Sequence, residues 1–224
     1  MNSIDVLDET VLREVQAINL RGLRLLLQTA NPGVSGGGGA GTAAVPAGPL
    51  REIVGAGSAD PAGLSRLADQ PFLLFDIGLD EPLRWHAART PGVEDDPAPP
   101  AGLLWSRESE LFAGMLFHYA WYLARTAPLT AAVVAGMAPA TAEVLRGFSL
   151  QQIDELSQRS AHWLRLRWED SPALWSALLA VARSAAAEPQ LRAARLQALL
   201  RLAGAALARR ATAAPFGSQP SGAL

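Results

Sequence analysis

The side chains that could do chemistry in this chain are few and widely spaced. The three histidines, His86, His118 and His162, lack the H-E-x-x-H or paired-His spacing that brings two imidazoles onto one metal ion. There is no cysteine, which excludes a thiolate nucleophile, a Cys-ligated zinc and a disulfide framework. All 19 basic residues are arginine, so Walker A, Schiff-base and kinase-type lysines are excluded as well. Gly33-Val34-Ser35-Gly36-Gly37 satisfies G-x-S-x-G, and Gly36, Gly38 and Gly41 satisfy G-x-G-x-x-G. Both motifs need a strand before them and a helix after; here they fall in a glycine run, and Ser35 reads as a linker residue. The carboxylate pairs Asp95-Asp96 and Glu169-Asp170 sit in a proline-rich loop and ahead of a helix N-terminus, positions that suit solvation and the helix dipole better than acid–base work. The expectation is a non-enzymatic protein with no cofactor, metal or small-molecule substrate.

The arginines carry more information. From Arg146 onward ten arginines stand against five acids, whereas residues 1–145 hold nine against sixteen. The C-terminal third is therefore basic although the whole chain has a net charge of −2, and such asymmetry bears on partners. Residues 162–168 (HWLRLRW) alternate Leu164, Leu166 and Trp168 with Arg165 and Arg167, as an extended segment with one buried and one basic face would. Arg146, Arg159, Arg165 and Arg167 are the candidate contacts for DNA or a protein partner. The alternative is that Arg167 pairs with Asp170 or Glu155 and that the others are solvated.

The elements that must position these residues are mostly helices. Half of the 224 residues are apolar, enough for one real core or two small ones. Residues 1–30 predict an amphipathic helix with Leu7, Val11, Val15, Ile18 and Leu25 on one face and Gly22 in the gap. Asn19, beside that stripe, is expected to border solvent; a role in fixing the register of a helix pair is the other possibility. Residues 31–49 read as a Gly-rich linker. Residues 50–89 form a small mixed region, with a helix over 62–70 and a run at 72–77 that is either a short buried strand or an apolar helical turn. An acidic Pro-rich loop at 90–102 divides the chain.

Beyond that loop, residues 103–210 predict a helical domain with a basic last helix, and residues 211–224 a disordered tail. Ser106 can cap a helix reaching about Ala127. It is apolar on nearly every side and so belongs in a core or a subunit interface; Leu111, Met115, Leu116, Tyr119 and Leu123 are the candidate dimer contacts. Its apolar run is too short for a bilayer core of about 30 Å. A helix over 130–146 should bend near Gly136 and Pro139. Ser149 and Gln152 form a capping box, starting a helix at Leu150 whose core face would be Leu150, Ile153 and Leu156. Ser171 and Pro172 fit N-cap and N1 of another helix to about Ala186, and the last helix covers 190–210. The segments 138–146 and 150–158 about Gly147 have helix-turn-helix dimensions. The fold class is thus mainly all-α: a helical domain with a helix-turn-helix-like hairpin, room for one short strand, and flexible linkers. The acidic N-terminus lacks a basic stretch followed by an apolar segment, so the expected location is the cytoplasm.

The run from Gly136 to Asp170 resembles the central and C-terminal part of the FlhD-like flagellar transcriptional regulators. The matching positions are Gly136, Leu145, Phe148, Ser149, Leu150, Gln152, Leu156, Arg167, Trp168 and Glu169, and the preceding helix with Leu123-Ala124-Arg125 extends the similarity back to about residue 107. The resemblance implies an all-helical, dimeric transcriptional regulator that acts on duplex DNA with an FlhC-like partner. Residues 1–100 lie outside it. The competing expectation is a protein–protein adaptor or scaffold of motility or secretion that binds no DNA.

Overall fold

The computed structural model describes residues 8–30, 49, 51–53, 60–89, 106–183, 192–193 and 195–202. Leu7, the Gly-rich segment 31–48 with both glycine motifs, the acidic loop with Asp95-Asp96, and the tail fall outside the described residues.

The chain is mainly helical with one two-stranded sheet. In order it runs α1 (Glu9–Ala30), α2 (Pro61–Ala68), β1 (Phe75–Asp76), α3 (Pro82–Ala88), α4 (Arg107–Thr126), α5 (Pro128–Ala135), α6 (Pro139–Arg146), α7 (Leu150–Arg159), a 3₁₀ turn (Ala161–Trp163), β2 (Arg165–Leu166) and α8 (Pro172–Arg183). Residues 195–202 form a further helical stretch, α9. The punctuation is local. Helices α2, α3, α5, α6 and α8 begin on a proline, whose preset φ and missing N–H suit the first helical position. Ser106 Oγ accepts from the Ser109 amide, and the Ser149–Gln152 capping box is complete. Gly136 ends α5 in the left-handed region at φ 59°.

Helix α4 is the axis of the fold, packing against α1, α5, α6, α7 and the 3₁₀ turn. Its inward face is Phe112, Ala113, Leu116, Phe117, Ala120, Leu123 and Ala124. Leu116 and Leu123 are therefore part of the chain's own core, which removes them from the expected dimer contacts. Phe117 meets Trp85 and Trp163 at ring-centroid distances of 5.5 and 5.9 Å, joining α3 and the 3₁₀ turn to α4. Helix α2 packs on α8 and α1 on α4, and one apolar cluster includes residues from both sides of the acidic loop. The loop thus divides the sequence without dividing the core.

Gly22 explains how closely α1 approaches. A methyl there would come within 2.6 Å of the Phe112 ring and closer still to Phe75, so only the absence of a side chain admits the Phe75–Phe112 edge-to-face pair beneath α1.

Three expectations need correction. Asn19 does not border solvent: it is fully buried, its Nδ2 donates to Phe72 O (2.8 Å) and Ala68 O (3.3 Å), and its Oδ1 accepts from Leu74 N (2.8 Å). The run 72–74 and the end of α2 carry backbone groups that no sheet satisfies, and one carboxamide, donor and acceptor at once, satisfies three of them: Phe72 O, Leu74 N and Ala68 O. Leu150 is 52% exposed; as first residue of α7 it precedes the turn whose Ile153 and Leu156 reach the core. The 162–168 alternation also fails, because the chain makes a 3₁₀ turn through Trp163 and is strand only at Arg165–Leu166.

Candidate functional site

The antiparallel pairing of β1 with β2 sets Phe75 opposite Leu166 and Asp76 opposite Arg165. This register places an acid from one apolar run beside the arginines of another. Asp76 is buried. Arg165 donates Nε and Nη2 to its Oδ2 at 3.1 and 2.8 Å, and Arg167 Nη2 approaches Oδ1 at 3.3 Å. The Leu79 amide adds a further donor at 3.3 Å. Arg165 also reaches Asp80 (3.2 Å) and Glu81 (2.8 Å). Arg167 is buried too, and its Nη2 bonds the end of α5 through Ala135 O at 2.7 Å.

Burial alone would raise the pKa of Asp76. Attraction to Arg167 and Arg165, with the hydrogen bonds from Arg165 and Leu79, outweighs it, and the carboxyl is held below the ordinary carboxylate value. An aspartate so stabilised as an anion is a poor base, and near neutral pH it has no proton to give. What the cluster does well is clamp: it ties β1, β2 and the α5 terminus together.

Beside it lies a cavity of about 400 Å³ lined by Asp76, Asp80, Gly136, Arg165, Leu166, Arg167, Trp168, Glu169, Asp170, Arg201 and Leu202. Trp168 is the one non-glycine residue with positive φ (55°) among the described residues. That conformation is held by its ring edge against Phe72 (5.4 Å between centroids) and by its carbonyl accepting from the Ser171 amide (2.9 Å). Trp175 Nε1 donates to Arg167 O at 2.9 Å, and Arg201 Nη1 donates to Ser171 Oγ at 2.7 Å. Ser171 thus serves α9 as well as the start of α8.

Comparison with known protein families, with curated proteins and with solved structures finds no match to this chain.

The four candidate arginines are not brought together as a basic face. Arg165 and Arg167 join the clamp, and Arg167 pairs with Asp76 rather than with Asp170 or Glu155. Arg159 donates to Ala88 O at the end of α3, and Arg146 pairs with Glu143 within α6. The candidate dimer residues also part company. Leu111 is 61% exposed. Met115 is half-buried, with Arg21 Nη1 3.9 Å from its sulfur. Tyr119 leans toward α1, where burial and then the Glu14 carboxylate push its hydroxyl pKa upward.

Sequence reasoning missed Asp76 and misplaced Asn19. The signal for Asp76 was available: a single acid inside Phe72–Ile77, apolar on both sides, must find a cation if that run is buried. Asn19 had no such signal, since a polar residue at the edge of an apolar stripe is equally at home in water.

Proposed function

We propose that this chain is a non-enzymatic helical adaptor that acts by holding another protein, and that it does not grip DNA through its C-terminal arginines. The observation that carries this reading is the engagement of Arg165 and Arg167 by Asp76, Asp80 and Glu81. Phosphate contact needs guanidinium groups turned outward and available to replace counterions. Here two of the four candidate arginines are engaged by acids of the chain itself. The FlhD-like regulator with an FlhC-like partner is the reading this engagement disfavours. A location in the cytoplasm belongs to either; among the described helices none is long and apolar enough to cross a membrane.

The test is a fluorescence-anisotropy titration of the full chain with labelled duplex DNA at low salt, alongside isolation of its native complex with and without nuclease. The adaptor reading expects no saturable duplex binding and a protein complex that survives nuclease. Saturable binding that weakens steeply with salt, or a complex that falls apart under nuclease, overturns it.

A further inference from the structure

The outward side of α4 carries Leu111, Met115, His118 and Tyr122 at intervals of four, three and four. That is the spacing of a coiled-coil seam, with alternating positions facing a partner helix. Leu111 is 61% and Tyr122 49% exposed, and Met115 and His118 are half-buried between them. The flanks are fixed. Arg21 of α1 lies along Met115 on one side. His118 is held from the other by Asp154 of α7, Nε2 to Oδ1 at 2.8 Å, while its Nδ1 lies 2.7 Å from Gly114 O. The seam continues one step at each end into charge: Glu108 before Leu111, and Arg125 after Tyr122, stacked 4.9 Å from the Trp121 ring.

We propose that this seam binds a second copy of the chain, with the two α4 helices antiparallel about a two-fold axis. The sequence of the seam is complementary to its own reversal. The register that sets Leu111 against Tyr122 also sets Met115 against His118 and Glu108 against Arg125, every layer sharing one midpoint. Each layer occurs twice, as an isologous contact requires. A parallel pairing would instead set Glu108 on Glu108 and Arg125 on Arg125, which like charges oppose.

The α1 rim agrees. Arg21 and Arg24 share a groove of about 480 Å³ with Glu108 and Leu111 at one end of the seam, whereas Glu14 acts on Tyr119 toward the other. A two-fold axis lying across the helices faces one α1 rim with the other, ends reversed. Arg21 and Arg24 then approach Glu14 of the second copy. This inference does not depend on the adaptor reading, since a dimer of this kind serves a scaffold or a regulator.

The absence of cysteine makes the test clean. Positions 111 and 122 are about 16 Å apart along one helix, too far for a disulfide within a chain, which needs Cα atoms within about 7 Å. Under mild oxidation the Leu111→Cys/Tyr122→Cys double variant of the full chain should give a covalent dimer on a non-reducing gel, and Leu111→Cys alone should not. In sedimentation, Glu108→Arg and Arg125→Glu should each weaken the dimer and their combination restore it. A parent that sediments as a monomer at all concentrations overturns the proposal, as does cross-linking by Leu111→Cys alone, a ladder of higher species, or a double charge swap no better than either single one.

Discussion

Asp76 and Arg167 are 91 residues apart in sequence, and their charged groups meet at 3.3 Å with side chains only 8% and 7% exposed. Such a pair is costly to desolvate and costlier to break from the Asp76 side, because Arg167 without Asp76 is a buried charge facing no carboxylate, whereas Asp76 without Arg167 still keeps Arg165. The clamp therefore holds β1, β2 and the end of α5 as one unit, and its titration should show in stability.

Because Asp76 has a folded-state pKa below its ordinary value of 3.8, its contribution is fully present above that pH. It is lost as the pH falls through the depressed folded value. Asp76→Asn should be clearly less stable than the parent at pH 7, and the difference should shrink once the pH drops below the ordinary value. Urea denaturation of both proteins across the acid range measures this; a gap independent of pH would show that Asp76 is not ionised in the fold.

Asn19→Ala should lower stability by about 1–3 kcal/mol for each buried backbone group left without a partner. Thermal unfolding reads the loss. Hydrogen exchange adds a local check, since the Leu74 amide should lose protection well before amides in α4.

Gly136→Ala should cost more than the roughly 1–2 kcal/mol that a left-handed conformation imposes on an ordinary residue. A methyl there would also come within 2.7 Å of Leu202 Cδ2 and closer still to the Arg167 guanidinium. A loss no larger than that left-handed cost would mean that α9 and Arg167 do not press on this turn.

Ser149→Ala removes one half of the α7 capping box, in which Ser149 Oγ accepts from the Gln152 amide at 3.2 Å. The expected loss is about 0.5–2 kcal/mol, read by chemical denaturation. Gln152→Ala should act in the same direction, since Gln152 Oε1 accepts from the Ser149 amide at 2.8 Å.

These residues differ in how plainly the sequence announced them. The capping box, the Ser106 cap, the bend between Ala135 and Pro139 and the apolar α4 could all be read locally, because caps, prolines and periodicity act within a few residues. The clamp could not. Whether Arg167 faces water depends on β1 lying antiparallel to β2, and two-residue strands leave no periodic trace. Alternation at 164–168 was real in the sequence but misleading about burial, since Asp76 made an inward arginine affordable. The outward stripe of α4 was half legible: Leu111 and Met115 belong to it, whereas Leu116 and Leu123 were indistinguishable from them until the neighbouring helices defined an inside.

The most direct test of the claim that these arginines serve the fold is the chemical-denaturation stability of Arg167→Gln. Asp76 keeps Arg165 and the Leu79 amide, but its Oδ1 loses the Arg167 guanidinium and Ala135 O loses its donor, so the expected loss is about 1–3 kcal/mol. A variant that unfolds at the same denaturant concentration as the parent would contradict the account and return Arg167 to the surface as a candidate phosphate contact.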